Sequence, residues 1–169
     1  MKRLPILKRF VDLLNVLLTL AIAVCIPFFI VMVVKPEVLS SEIFDVKPTD
    51  IPTIEIIILI VSFSSIVFAI HALRLFSRTL IFFRNGDFFD IQVSKNFKAI
   101  GKAIIIGYII SFLPWFIYDN VTTSVIPFSD FGDLITDTLF MGALGLFFIV
   151  LSEVFLAAGA IKQENDLTV

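Results

Sequence analysis

The chain has 169 residues, of which 59% are hydrophobic and only 17% charged, with a mean hydropathy of +1.04. A 19.0 kDa globule lacks the interior volume to hide so large an apolar excess, which calls for a lipid surrounding. Seven glycines, seven prolines and one cysteine exclude collagen-like repeats, low-complexity disorder and a disulfide scaffold, and a formal net charge of -2 carries little information as a total.

Four apolar runs follow one another: residues 11–34, 51–76, 99–118 and 138–161. Each reaches the roughly 20 residues that a helix rising about 1.5 Å per residue needs to cross about 30 Å of hydrocarbon. They are apolar all round, without the period-two alternation of barrel strands, so the fold class is all-α: a polytopic four-transmembrane-helix bundle forming one domain, residues 1–169.

The first run follows Lys2, Arg3, Lys8 and Arg9. It is longer than a signal-peptide core, and Lys35-Pro36-Glu37 offers no small-x-small cleavage site, so it reads as a retained helix. Asp12, Asn15 and Thr19 form a polar stripe near its start, and Cys25 reads as plain packing, since bulky Val24 spoils a lipoprotein signal. Pro27 bends this helix and Pro114 the third. Loop 35–50 is acidic, with Glu37, Glu42, Asp45 and Asp50, and Asp50 with Pro52 has the form of a cap opening the second helix. That helix carries Ser62, Ser65, Ala69 and Ala72 on one side and Ser64, His71 and Arg78 on another, so two neighbours are expected.

Loop 77–98 is basic, with Arg78, Arg84, Lys95 and Lys98, and is interleaved with Phe82, Phe83, Phe88, Phe89 and Phe97. The third helix presents Ala99, Ala103, Gly107 and Ser111 as one smooth stripe, which permits close helix approach, and Trp115, Phe116 and Tyr118 at its far end suit a headgroup zone. Loop 119–137 is acidic again; its Asn120-Val121-Thr122 and Phe131-Gly132-Asp133 are too short as patterns to carry weight. On the fourth helix Thr138, Gly142, Gly145, Ser152 and Gly159 share a sector, with Glu153 at its edge. In all, 11 of the 13 basic residues fall on the side of the termini and the middle loop. By the positive-inside rule that side is cytoplasmic and the acidic loops face out, in a bacterial plasma membrane.

Glu153 is the residue most in need of explanation, because an unpaired carboxylate in hydrocarbon costs several kcal/mol. Burial between helices with His71, Arg74 or Lys102 as partner is expected, either as a structural lock or as a proton or ligand contact. An enzyme is the least supported class. One His and one Cys cannot form a metal cage, no phosphate-binding glycine loop appears, and no cofactor or direct nucleic-acid contact is indicated. A transporter or exporter, working as a homo-oligomer, lacks visible inverted repeats.

The segments Leu73-Arg74-Leu75-Phe76, Phe83-Arg84-Asn85-Gly86-Asp87-Phe88-Phe89, Phe97-Lys98-Ala99-Ile100-Gly101, Glu153-Val154-Phe155 and Glu164-Asn165-Asp166-Leu167-Thr168-Val169 together resemble the bacterial family DUF2975, the YoaS-like four-helix membrane proteins. The tail is the most specific match, and the first helix and outer loops are the least similar. Where this family tends to place proline before phenylalanine after the loop glycine, this chain has Asp87. The resemblance implies no known activity and a companionship with small helix-turn-helix repressors. On that footing a non-enzymatic regulator is expected, docking a cytoplasmic partner through Arg78, Arg84, Phe88, Phe89, Lys95, Lys98, Asp166, Leu167 and Val169. The basic loop has a second reading, lying along anionic lipid headgroups, and the tail could add as a short strand or sit in a groove.

Overall fold

The computed structural model describes residues 4–34, 53–122 and 128–167, and these are all helical apart from two short breaks. Helix α1 spans Leu4–Val34, α2 Thr53–Ser64, α3 Ile66–Asn85, α4 Ile91–Thr122 and α5 Phe128–Leu167. Among the described residues four helical spans are long and apolar enough to cross a membrane, α2 and α3 together making one of them. The Asp50–Pro52 cap, the acidic loop 35–50 and the end residue Val169 lie outside the described residues.

The helices overrun the apolar segments that announce them. Hydropathy marks what lipid can cover, whereas a helix continues for as long as its backbone ladder and one packed face persist. Loop 77–98 is therefore not a loop: α3 continues to Asn85 and α4 starts at Ile91, which leaves a turn of five residues, 86–90. Likewise α5 starts ten residues before the fourth apolar run and continues six beyond it.

Local chemistry sets both breaks. The Ser64 hydroxyl donates to the Val61 carbonyl at 2.6 Å, and the Ser65 N–H, which would otherwise take that carbonyl, bonds Ser62 O at 3.1 Å; one tight turn results between α2 and α3. At the end of α3, Gly86 adopts φ +90°, its N–H bonds Phe83 O, and the Asp87 N–H bonds Phe82 O at 3.0 Å. This is a Schellman cap, and proline at position 87 would lack the N–H that closes it. Asp90 then caps α4, its carboxylate accepting the Gln92 N–H at 2.7 Å.

Helix α4 is the centre of the fold. Its most extensive contact is with α5, then with α3, and α2 also packs on it; α1 packs extensively on α3 alone among the described residues. The buried core gathers Ala72 and Leu75 of α3 with Val93, Phe97, Ile100 and Ala103 of α4. Large apolar side chains such as Leu17, Val24, Val67, Ile109 and Phe147 remain exposed along the spans, where a bilayer would cover them.

Candidate functional site

The α4–α5 pair is built on a seven-residue repeat. On α4, Ser94, Gly101 and Tyr108 recur every seventh residue; on α5, Thr138, Gly145 and Ser152 do the same in the opposite direction. They meet as rungs. The buried Ser94 hydroxyl donates to Ser152 O at 2.9 Å and lies 3.2 Å from the Ser152 hydroxyl, while the Tyr108 and Thr138 hydroxyls are 2.7 Å apart. Between them the backbones cross at the glycines: a Cβ placed on Gly101 would stand 2.5 Å from Gly145 O and 2.7 Å from the Ile149 side chain. Such spacing is the 3.5-residue seam of left-handed helix packing.

The expected stripe on α4 packs in a different direction. A Cβ on Gly107 would lie 3.0 Å from Phe68 Cβ and 3.5 Å from Ser65 O, and the Ser62 hydroxyl donates to Ser111 O at 3.0 Å. Ala103, Gly107 and Ser111 thus face α2 and α3, and the α5 contact belongs to Gly101, which the i+4 reasoning missed. The signal was present as the heptad Ser94-Gly101 matched by Gly145-Ser152. Of the expected α5 sector, Thr138, Gly145 and Ser152 face α4 and Gly159 meets the Phe89 carbonyl, but Gly142 borders an open crevice of about 360 Å³.

Polar contacts concentrate at the end of the bundle that carries Lys8, Arg74, Arg78, Arg84, Lys95, Lys98 and Lys102. Asp12 accepts from Lys8 and from Ser77, tying α1 to α3. Thr79, fully buried, donates to Leu75 O and accepts from Asn96 at 3.2 Å, tying α3 to α4. At the opposite end the Tyr118 hydroxyl donates to Glu55 at 2.7 Å, joining α4 to α2.

The expected home of Glu153 is corrected. Its side chain is exposed and pairs with Lys98 at 3.1 Å, not with His71, Arg74 or Lys102. The antiparallel register explains this: Ser94 stands level with Ser152, so the α4 cation one turn further along is Lys98, whereas Lys102 lies near the level of Gly145. His71, Arg78 and Lys102 are exposed, and Arg74 lines a groove between α1 and α3.

The aromatics of the basic segment also differ from expectation. Phe83, Phe97 and Phe155 stack on one another with ring centroids 5.3–6.2 Å apart, Phe97 is 3% exposed, and Phe88 leans on Phe83 at 5.5 Å. They are the glue of a three-helix stub made by the ends of α3, α4 and α5, and only Phe89 among the docking aromatics remains open. The tail is helical to Leu167, while residues 168 and 169, which would complete the expected short strand, and the side chain of Asp166 lie outside the described residues. Among the described residues no cluster of His, Cys, Asp or Glu is arranged to hold a metal ion.

Residues 42–169 match a family described as protein of unknown function (DUF2975). The chain belongs to that family. The match takes in α2 to α5, hence the Gly101–Gly145 crossing, the Ser94–Ser152 rung and the aromatic stub, while α1 precedes it. No curated protein and no solved structure matches the chain. What the described residues offer chemically is thus a basic helical end joined by stacked aromatic rings.

Proposed function

We propose that this protein is a non-enzymatic regulator of the bacterial plasma membrane whose basic end lies in the cytoplasm and docks a protein partner, such as a small helix-turn-helix regulator. The aromatic stub carries this reading. Stacking Phe83, Phe97 and Phe155 makes three helix ends one rigid platform, and the platform keeps Arg84, Phe89, Lys95 and Leu167 exposed on its outside. A preformed surface binds without the cost of ordering loops, and a mixed basic and apolar patch suits a protein with an acidic, partly apolar face. The orientation rests on the concentration of Lys and Arg at that end.

Two experiments test it. In a Cys25→Ser background, Gln92→Cys should be protected from an impermeant thiol reagent in intact cells and react after permeabilisation; labelling from outside overturns the orientation. Deleting residues 163–169 together with Arg84→Glu and Lys95→Glu should abolish co-purification of the partner and alter expression of its target genes, with membrane insertion intact. The packed stub ends at Gly159, so this truncation spares its core. Unchanged partners and unchanged expression would reject docking in favour of a small transporter.

A further inference from the structure

Between α1 and α3, on the flank of the molecule away from α4 and α5, runs an open groove of about 540 Å³. Its composition changes along its length. Towards the basic end it is polar, with Asp12, Asn15 and Arg74; towards the middle of the span its wall becomes Val16, Leu20 and Ala23. Thr19 lies between, its hydroxyl already donated to Asn15 O at 2.7 Å.

Two groups in the polar part are unsatisfied. Asn15 Oδ1 is buried and has no hydrogen-bond partner, so it calls for a donor. Arg74 is exposed and has no ion-pair partner among the described residues, so its guanidinium calls for an anion. The carboxylate in the same groove does not supply that anion, because Asp12 is occupied on one oxygen by Lys8 and on the other by Ser77. A guanidinium and an orphaned acceptor in the polar part, with an apolar wall leading away from them, describe a ligand with an anionic group, a hydroxyl donor and a hydrocarbon chain.

We propose that this groove is a binding site for an anionic glycerophospholipid whose headgroup carries a free hydroxyl. The phosphate accepts from Arg74, the headgroup hydroxyl donates to Asn15 Oδ1 once the side-chain amide turns towards the groove, and one acyl chain lies along Val16, Leu20 and Ala23. Basic pockets between helices at the headgroup level are where anionic lipids are held. A free phosphate ion has the same charge chemistry but no use for the apolar wall, and this favours the lipid. The site is independent of partner docking, since it lies on α1 and α3, away from the stub.

The test uses the full chain in a neutral detergent and measures lipid binding by native mass spectrometry and by the shift in melting temperature. The probes are phosphatidylglycerol, phosphatidic acid, phosphatidylcholine and inorganic phosphate. Phosphatidylglycerol should bind best, phosphatidic acid less well because it lacks the glycerol hydroxyl, and phosphatidylcholine least. Arg74→Gln should weaken phosphatidylglycerol about tenfold, the loss of one charge-assisted contact. Asn15→Val should erase the preference for phosphatidylglycerol over phosphatidic acid, and Lys102→Gln, exposed on α4 outside the groove, should change nothing. Equal binding by wild type and Arg74→Gln, or an equal loss in Lys102→Gln, overturns the site in favour of a diffuse basic surface. Displacement of the lipid by millimolar inorganic phosphate overturns the lipid in favour of a phosphate ion. If a variant does not fold, the ranking of the four probes on the wild-type chain decides, and no discrimination among the lipids rejects the proposal.

Discussion

Replacing Gly101 by alanine adds one methyl group, at the point where α4 and α5 approach most closely. That carbon would start 2.5 Å from the Gly145 carbonyl oxygen and 2.7 Å from Ile149 Cγ1, and the first of these is backbone and cannot rotate away. The helices must part until the contact reaches about 3.4 Å, where ordinary van der Waals contact begins. Seven residues along the seam, the Ser94 hydroxyl reaches Ser152 O at 2.9 Å, and the Phe97 and Phe148 rings stack at 5.9 Å, so both are stretched by the same movement. Overpacking of this kind costs about 1–3 kcal/mol, and a weakened buried hydrogen bond adds about 1 kcal/mol. Against this, alanine is the better helix former by about 0.5–1 kcal/mol, which leaves a net destabilisation of about 2 kcal/mol. Gly142→Ala is the internal control, because nothing lies within 4 Å of its added carbon and only the helical gain applies. Thermal unfolding of both variants in detergent checks the comparison. If Gly101→Ala melts at or above Gly142→Ala, the crossing is not where the structure has it.

Other substitutions separate the remaining contacts. Gly107→Leu should disrupt packing of α4 on Phe68 and Ser65 and lower the melting temperature, while a wild-type melt would mean that this face looks at lipid. Ser152→Ala should cost little, because Ser94 keeps the Ser152 carbonyl as acceptor, whereas Ser94→Val loses that bond and leaves the buried Ser152 hydroxyl without its cross-helix partner at about 1–2 kcal/mol; equal melts for the two would refute the assigned direction of donation. A double-mutant cycle of Lys98→Met with Glu153→Gln should give a favourable coupling, since each is the other's ion-pair partner at 3.1 Å; zero coupling would mean that the pair does not form.

Composition and charge order alone determined the class of this protein, because a lipid-covered helix must be about 20 residues of nearly unbroken apolar sequence and nothing tertiary is needed to see it. They also determined which end is basic, and the quoted segments of the middle turn and tail sufficed to name the family. Helix length was less legible: Arg78, Arg84, Lys95 and Asn96 look like a loop in a hydropathy profile, yet they ride on helices whose inner faces carry Phe83, Val93 and Phe97. Small residues announced that α4 and α5 pack closely, but not which face meets which neighbour, since i+4 and i+7 stripes coexist on α4 and only the crossing of the backbones selects Gly101 for α5 and Gly107 for α3. The partner of Glu153 was decided in the same way. Several cations lie at comparable depth in the sequence, and choosing Lys98 over His71, Arg74 and Lys102 required the antiparallel register, which follows from the seven-residue seam between two helices and from no single helix by itself.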